Sequence, residues 1–160
     1  MLAGLAWVAA QLDPPPPPLA GQGRASDGDS FRLGDDRVRL LGLDAPELAQ
    51  DCAAANGTSW PCGRAARDRM AALLAGGAVD CRSEDRDQYD RLLARCSVAG
   101  RDLGGLMVAD GLAVASGAYW QEEAAARAAR RGIWAGGFDR PADWRDDQLR
   151  PQGILGWLGL

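Results

Sequence analysis

Histidine and lysine are both absent from the 160-residue sequence. Without an imidazole, the chain can build no histidine general base, no Ser–His–Asp triad and no histidine-ligated metal site. Any catalysis must therefore use carboxylates, arginines, a bound cation, or the few hydroxyl and thiol groups. Aromatic residues are also few, at 6%. With 160 residues and an apolar content of 47%, the chain is long enough for one domain with its own core and too short for two.

Basic charge is carried by arginine alone, and it is distributed unevenly against the acids. The net charge is −4; residues 1–60 hold eight acids and four arginines, whereas the two charges balance in 61–110 and in 111–160. A uniformly acidic surface would argue against a nucleic-acid partner. A local excess that a divalent cation can offset does not, so a nucleic-acid substrate stays open.

The acid excess is concentrated in the stretch DGDSFRLGDDRVRLLGLDAPE, residues 27–47, which holds six carboxylates and three arginines. Apolar side chains recur at every second position on either side of a Gly-Asp-Asp turn, which predicts a β-hairpin. In such a hairpin Asp29 and Asp44 lie side by side at the open end. Arg39 then points away from the apolar face of its strand, or into the mouth of a barrel.

Two carboxylates brought together in this way repel each other unless a cation neutralises them. A hard cation such as Ca²⁺ would do so, with backbone carbonyls and waters as further ligands. Pro46 keeps the preceding residue extended, which leaves the Ala45 carbonyl free as a ligand and aims Glu47 across the site. The alternative is that Asp29 caps a turn and Arg39 forms an ordinary surface ion pair.

A second arginine, Arg91, begins a later strand and is expected to face the same mouth as Arg39. A cation, a free carboxylate and two guanidinium groups are the components needed to hydrolyse a phosphodiester. The cation and the arginines bind the phosphate and offset its charge, while the carboxylate orients or deprotonates a water. This combination of residue types therefore indicates phosphodiester hydrolysis.

The rest of the pattern predicts an α+β domain. Further strands are expected over 19–25, 78–83 and 91–98, and helices over 63–75, 103–109 and 121–131. Five short strands with a helix between the third and the fourth are typical of an OB-type barrel, a fold that often binds oligonucleotides.

The two ends of the chain are assigned apart from this domain, which is expected to cover residues 19–135. Residues 1–18 combine an apolar segment, 2–10, with a stiff proline spacer. The apolar segment has the length of an export-signal core and is too short to span a bilayer, so we expect a leader remnant or a weak membrane anchor. Residues 136–160 form a C-terminal extension, and the segment WAGGFDRPADWR, residues 134–145, is expected to pack its tryptophans back onto the barrel as a strap.

The cysteines Cys52, Cys62, Cys81 and Cys96 permit three pairings. Their spacing fits no zinc motif. Disulfides are the preferred interpretation and imply an oxidising compartment, hence a periplasmic or secreted protein; the alternative is four buried thiols in the cytosol. Cys81 and Cys96 lie nearly symmetrically about a polar turn, so they are expected to be cross-strand neighbours.

Five motifs together resemble the staphylococcal-nuclease-like family, also called thermonucleases. In order and spacing they are DGDS at 27–30, VRLLGLDAPE at 38–47, DQYDR at 87–91, GLA at 111–113 and GIW at 132–134. The resemblance covers the predicted central domain and implies a five-stranded OB-fold β-barrel with three helices. It also implies Ca²⁺-dependent cleavage of DNA and RNA, and we expect a monomer with no obligate protein partner.

The resemblance assigns roles to several residues of the stretch 27–47. It implies that Ca²⁺ is held by Asp29, Asp44 and the main-chain carbonyl of Ala45. It further implies that Glu47 acts on the attacking water. The two disulfides of similar exported bacterial proteins would be Cys52–Cys62 and Cys81–Cys96.

The same resemblance implies that Arg39 and Arg91 bind the phosphate and stabilise the transition state. Tyr89 and Tyr119 correspond to positions that contact the nucleotide. The alternative for both tyrosines is partial burial at the rim of the barrel, which is compatible with base stacking.

Four positions depart from the family pattern: Ser30 and Ala45 each replace a common threonine, and the other two bear on activity. The usual Tyr-Gly-Arg reads Tyr89-Asp90-Arg91, which places a carboxylate where it could lower activity or add a metal contact, and Gly117 replaces an aromatic residue that would stack on a base. With the pI of 4.8 and the absence of lysine, these departures support an alternative, a non-catalytic OB module that binds nucleic acid or a protein. Retention of the complete charged set favours the enzyme.

Overall fold

The structure is a computed structural model and describes residues 18–150. The apolar segment 2–10, most of the proline spacer and residues 151–160 lie outside this range. The expectations of export and of membrane attachment through residues 2–10 therefore stay predictions. Within residues 18–150, no helix is both long and apolar enough to cross a membrane.

The described residues form eleven short strands, four α-helices and one 3₁₀ helix, Gly132–Ala135. The strands are β1 (Leu19–Gly21), β2 (Gly23–Ala25), β3 (Ser30–Leu33), β4 (Asp36–Leu40), β5 (Leu43–Asp44), β6 (Cys52–Ala53), β7 (Ser59–Trp60), β8 (Val79–Arg86), β9 (Leu92–Val98), β10 (Arg101–Asp102) and β11 (Val114–Ala115). The helices are α1 (Cys62–Leu74), α2 (Leu103–Ala109), α3 (Trp120–Ala128) and α4 (Pro141–Leu149).

A seven-stranded sheet forms a nearly closed barrel, with six strands in the order β1–β8–β9–β4–β3–β2 and the short β10 paired to β9. The two outermost strands of this order, β1 and β2, are consecutive in the chain and are separated by Gln22 alone. The strand predicted over 19–25 is thus divided: its first half pairs with β8 and its second half with β3. Counted as one bent strand, the pair gives the five-stranded OB-fold barrel that the sequence predicts.

The hairpin predicted within residues 27–47 is β3–β4. Phe31 lies opposite Val38 in the antiparallel register, and both side chains are buried. β4 also pairs in parallel with β9, so it lies inside the sheet and its apolar face packs into the main core. Arg39 lies on the other face of β4 and is only half-buried, as the two-residue period requires.

The three predicted helices are confirmed as α1, α2 and α3, and a fourth, α4, follows them. α1 buries side chains at helical spacing, among them Ala66 and Met70, against the core. α4 was not predicted because its sequence lacks an apolar face: Pro141 is its only buried residue. Proline at the first helical position is favourable there, since its missing N–H would have no helical partner.

Both predicted disulfides are present. Cys81 and Cys96 are directly opposite each other in the β8–β9 ladder, with their Cα atoms 4.1 Å apart. Cys52 and Cys62 join the loop of β6 and β7 to the first turn of α1, with a Cα separation of 5.6 Å. The alternative of four free thiols is wrong for this structure.

The strap predicted over residues 134–145 packs Trp134 against side chains outside the main barrel core, whereas Trp144 is only half-buried. The Trp134 ring meets Phe138 edge-on at a centroid distance of 4.8 Å, and the Arg127 guanidinium lies 4.1 Å from the Trp134 ring centroid. With Ile133 and the Cys52–Cys62 pair they belong to a second, smaller apolar cluster. The strap then continues into α4 and returns to the open end of the hairpin.

Candidate active site

The carboxylates of Asp29 and Asp44 meet at the open end of the β3–β4 hairpin, as predicted. Both residues are buried, with 4% and 7% of their surfaces exposed. The Arg39 guanidinium lies between them, with Nη2 3.0 Å from Asp29 Oδ2 and 3.0 Å from Asp44 Oδ1. This is an ion pair in a buried setting, so the interpretation of Arg39 as an ordinary surface pair is wrong.

The turn-capping role that the sequence left open for Asp29 belongs to Asp27 instead. Asp27 Oδ1 accepts hydrogen bonds from the backbone N–H groups of Asp29 and Ser30, at 3.0 and 2.7 Å. Its Oδ2 accepts one from the Ser30 hydroxyl at 2.7 Å. These bonds hold the turn and leave Asp29 turned towards Arg39.

Burial raises the pKa of Asp29 to about 7, against the opposing effect of Arg39, while the negative charge of Asp27 raises it further. Desolvation therefore disfavours the ionised form of the Asp29 carboxylate, even with a guanidinium beside it. A divalent cation at this position would offset that penalty.

The turn after β5 places Glu47 across the site. The backbone of this turn packs tightly against the first turn of α1. The Ala45 N–H donates to Asp29 Oδ2 at 3.2 Å. Gly63, in the first turn of α1, lies so close that an added Cβ would come within 1.7 Å of the Glu47 carbonyl oxygen. No other residue type fits there without moving Glu47.

Gln50 is fully buried and connects this turn to the strap. Its side chain accepts from the Glu47 N–H at 3.2 Å and donates to the Asp139 carbonyl at 2.7 Å. The Gln50 carbonyl accepts from Gly63 N–H at 3.1 Å. One side chain thus fixes the position of Glu47 and the point from which α4 departs.

Arg91 lies on the other side of the mouth and is positioned by Asp87. Arg91 donates to both Asp87 oxygens, from its backbone N–H at 3.0 Å and from Nε at 2.7 Å. Burial acts to raise the pKa of Asp87, but these hydrogen bonds outweigh it and lower the pKa. The Tyr89 ring, 60% exposed, lies 5.5 Å from the Arg91 guanidinium, in a position open to a base.

Asp90 adopts the left-handed backbone conformation, with φ of 60°, which explains why glycine is usual at this position in the family. Its carboxylate turns outward to Arg86, at 3.1 Å, and is largely exposed. Asp90 does not line the pocket described next. The substitution therefore affects the turn rather than the charges around Arg91.

A pocket of about 510 Å³ joins these groups. Its lining includes four arginines and three carboxylates: Arg37, Arg39, Arg91 and Arg145 with Asp27, Asp29 and Glu47. The acidic excess of the chain thus does not extend to this surface. Arg37, which donates to the Tyr89 carbonyl, was not singled out from the sequence, although it shares the Arg39 face.

Arg145, from α4, is a second pocket residue that sequence reasoning missed. Its Nη1 and Nη2 donate to the two oxygens of Asp44, each at 3.0 Å, and Nη1 also donates to Glu47 Oε1 at 2.8 Å. Hydrogen bonding to Asp44, and then to Glu47, raises the pKa of Arg145 further, so the side chain is charged. The "DRPADWR" segment (139–145) offered a proline helix start, but nothing in it distinguished this arginine from the others.

Tyr119 does not line this pocket. Its ring packs on Gly104, where an added Cβ would come within 2.6 Å of the Tyr119 hydroxyl oxygen. Burial, and next the hydrogen bond to Asp102, raise the pKa of Tyr119 to about 12. Its contact with a nucleotide stays a prediction, and the structure places it beside α2.

The donor set at the hairpin end fits a hard divalent cation. Asp29, Asp44 and the Ala45 carbonyl offer only oxygens, the donors that Ca²⁺ and Mg²⁺ prefer. Within residues 18–150, no three acidic side chains come together at metal-binding spacing. A cation here would therefore depend on two carboxylates, a main-chain carbonyl and water.

The sequence from residue 37 to residue 136 matches the family model of the staphylococcal nuclease homologues. The chain therefore belongs to that family, and the resemblance inferred from the five motifs is confirmed. Family membership also agrees with the barrel described above.

Individual relatives match a similar share of this chain but differ in how much of their own length is matched. An uncharacterized endonuclease of Escherichia coli O157:H7 is 31% identical over 123 residues, which are 70% of this chain and 74% of the relative. The succinoglycan biosynthesis protein ExoI of Rhizobium meliloti (strain 1021) is 32% identical over 124 residues, 73% of this chain and 65% of the relative. The probable staphylococcal-like nuclease CAN3 of Oryza sativa subsp. japonica is 32% identical over 121 residues, 70% of this chain but 29% of the relative. The chain thus spans less than two thirds of the last two proteins.

Proposed function

We propose that the protein is a Ca²⁺-dependent endonuclease that hydrolyses phosphodiester bonds of DNA and RNA with little sequence specificity. The observation that carries this proposal is the convergence of Arg39, Arg91 and Glu47 on one pocket beside the buried Asp29. Two guanidinium groups and a carboxylate at such a mouth match the needs of phosphodiester hydrolysis. Membership of a family that includes named nucleases supports it.

In this mechanism the phosphodiester lies across the mouth between the arginines of β4 and of the β8–β9 turn. Arg39 and Arg91 bind the non-bridging oxygens and stabilise the charge that develops on them. Glu47 orients the attacking water and accepts its proton. A cation held by Asp29, Asp44 and the Ala45 carbonyl would supply electrophilic stabilisation of the phosphoryl oxygens.

The charge of the pocket supports a polyanionic substrate. Four arginines and three carboxylates line it, so the lining has a positive excess before any cation binds. Tyr89 stands exposed at the rim, where an aromatic ring can stack on a base without reading its identity. Both features favour binding by backbone and stacking rather than by sequence.

One observation favours the alternative, a non-catalytic nucleic-acid-binding module. Both oxygens of Asp44 are hydrogen-bonded to guanidinium groups, and Arg145 also holds Glu47. A site whose acids are neutralised internally can bind phosphate without a cation. Such a module would retain polymer in the presence of a chelator and leave it intact.

The two functions separate in a digestion assay. Single-stranded DNA and RNA are incubated with the oxidised protein in Ca²⁺, and in parallel with a chelator, beside Glu47→Ala. Loss of the base is expected to lower kcat by about 10²–10⁴-fold. Glu84→Ala, which removes an exposed carboxylate of β8, is the matched control and should cleave at the wild-type rate.

Cleavage that requires Ca²⁺ and fails only in Glu47→Ala would support the enzyme. Intact polymer under every condition, with retention of the polymer on the folded protein, would establish the binding module instead. Equal activity of Glu47→Ala and the wild type would contradict the role of Glu47.

We also propose that the protein works in an oxidising compartment, the periplasm or outside the cell. The two disulfides of the described residues support this, because such bonds persist where thiols are not kept reduced. Fractionation of the source cells with an antibody to the protein tests it. Protein with free thiols in the cytosolic fraction would contradict the proposal.

A further inference from the structure

The position of Arg145 gives the site a property beyond the proposed cleavage reaction, although the inference rests on that function. The guanidinium spans the two acids on its side of the pocket, with two hydrogen bonds to Asp44 and one to Glu47. Paired, charge-assisted bonds of this kind are among the stronger polar contacts in proteins. The ion pairs come from a residue 101 positions beyond Asp44 and 98 beyond Glu47 in the chain.

The two Asp44 oxygens are among those that a divalent cation would need. Asp44 Oδ1 accepts from both Arg39 and Arg145, and Oδ2 accepts from Arg145. A cation coordinated by Asp44 would bring two positive charges against the guanidinium, and the two cannot share one carboxylate edge. Glu47, held at 2.8 Å by Arg145, likewise has one oxygen fewer for a water.

The helix that carries Arg145 is lightly held. Of the residues in α4, only Pro141 is buried; Trp144 and Arg145 are half-buried and the others are exposed. A nine-residue helix has little stability of its own in water, so its position depends on tertiary contacts. The contact of Gln50 with Asp139 lies before the helix and would persist if α4 moved.

We propose that Arg145 is an internal counterion that occupies the site in place of the divalent cation. It stabilises Asp44 and Glu47 while no cation is bound, and it competes with the cation for Asp44. Cation binding displaces the Arg145 side chain and loosens α4, so the C-terminal segment sets the cation concentration at which the site becomes active.

Calorimetric titration of the oxidised full-length protein with CaCl₂ tests the competition directly. Arg145→Ala is expected to bind Ca²⁺ about tenfold to a hundredfold more tightly than the wild type, the change expected when charge-assisted hydrogen bonds no longer compete. Arg145→Lys keeps the positive charge but loses the paired donors of the guanidinium, so its Ca²⁺ affinity should lie between those of the two proteins. Arg150→Ala is the control, because Arg150 lies directly after α4 and pairs with the exposed Asp147.

Hydrogen exchange gives a readout that does not depend on activity. Saturating CaCl₂ should speed amide exchange in residues 142–149 of the wild type, whereas in Arg145→Ala these amides should exchange fast with or without Ca²⁺. Near-ultraviolet circular dichroism of each variant confirms that the barrel is folded.

The outcomes separate this inference from the proposed function. Unchanged or weaker Ca²⁺ binding in Arg145→Ala, with a wild type that binds and cleaves, would overturn the competition and leave the nuclease standing. Slower or unchanged exchange of α4 on adding CaCl₂ would likewise overturn it. Absence of Ca²⁺ binding in both proteins would overturn the competition and the calcium dependence together, and the digestion assay would then decide whether cleavage occurs at all.

Discussion

Two parts of the chain bring charge to the same pocket but are held in different ways. Residues 27–47 belong to the β3–β4 hairpin and the turn that follows it. β4 is hydrogen-bonded to a strand on each side, and the apolar face of the hairpin is buried in the main core. Residues 136–149 lie outside the barrel, and α4 has a single buried residue. The first part is fixed by the core, and the second by a few polar contacts.

This difference indicates which charges can move. Arg39 comes from an inner strand of the sheet, so the backbone that carries its guanidinium is fixed by strand pairing on both sides. Arg145 reaches Asp44 from a helix whose other side chains are mainly exposed, so its contact can be exchanged for another. A pocket built from one fixed and one movable guanidinium can offset its acids and still admit a cation.

The largest effect is expected from the fixed side. Arg39→Ala should lower kcat/KM by about 10²–10³-fold, because a preorganised donor to the phosphate is lost. It should also cost about 2 kcal/mol of unfolding free energy, since Asp29 loses its ion-pair partner in a buried setting that is partly open to water. Urea unfolding in a chelator and then in Ca²⁺ measures this, and Ca²⁺ should restore part of the loss.

Arg32→Ala is the matched control for that prediction. Arg32 lies on the exposed face of β3, opposite Arg37, so its removal relieves a like-charge pair and should leave stability unchanged or slightly higher. A stability loss in Arg32→Ala as large as in Arg39→Ala would show that the effect is general to the sheet.

The two disulfides should separate stability from activity. Cys81→Ala/Cys96→Ala opens a loop with a sequence separation of 15 and should cost about 3 kcal/mol, with little change in kcat because the β8–β9 ladder remains. Cys52→Ala/Cys62→Ala should cost somewhat less stability but lower kcat more, since Gly63 packs directly on the Glu47 carbonyl. Urea unfolding and initial rates on the same preparations test the contrast, and a larger kcat loss in the Cys81/Cys96 variant would contradict it.

The smallest effect is expected at Asp90. Asp90→Gly relieves about 1 kcal/mol of strain in the left-handed backbone conformation of this residue. Glycine also raises the conformational entropy of the unfolded chain, and an exposed ion pair is lost, so a net stabilisation of about 0.5 kcal/mol is expected. Thermal unfolding measures this change in stability. Ala99→Gly is the control, because Ala99 also has a left-handed backbone, with φ of 50°, and lies in the turn before β10. A large rise in kcat would show that the Asp90 carboxylate does act on the site.

The interior of the site could be predicted from the sequence because its determinants are local. Alternation in β3 and β4 predicts which side of the hairpin carries Asp29, Arg39 and Asp44, and the turn fixes their register. The five charged residues that the resemblance assigns do converge as expected. Cross-strand placement of Cys81 and Cys96 follows from the same two-residue period.

The sequence by itself therefore determined the barrel, the hairpin that presents the acids, and the cross-strand placement of Cys81 and Cys96, since each depends on periodicity or on spacing within a short stretch, whereas the Cys52–Cys62 pairing came from the family resemblance. Only the tertiary structure decided that the first strand divides at Gln22, that Tyr119 packs on α2, and that Arg145 closes the pocket. An ion pair between residues about a hundred positions apart leaves no periodic signal, and one arginine among eighteen is selected only by where the fold brings its helix. That is why the most movable charge of the site was also the one that local patterns could not reveal.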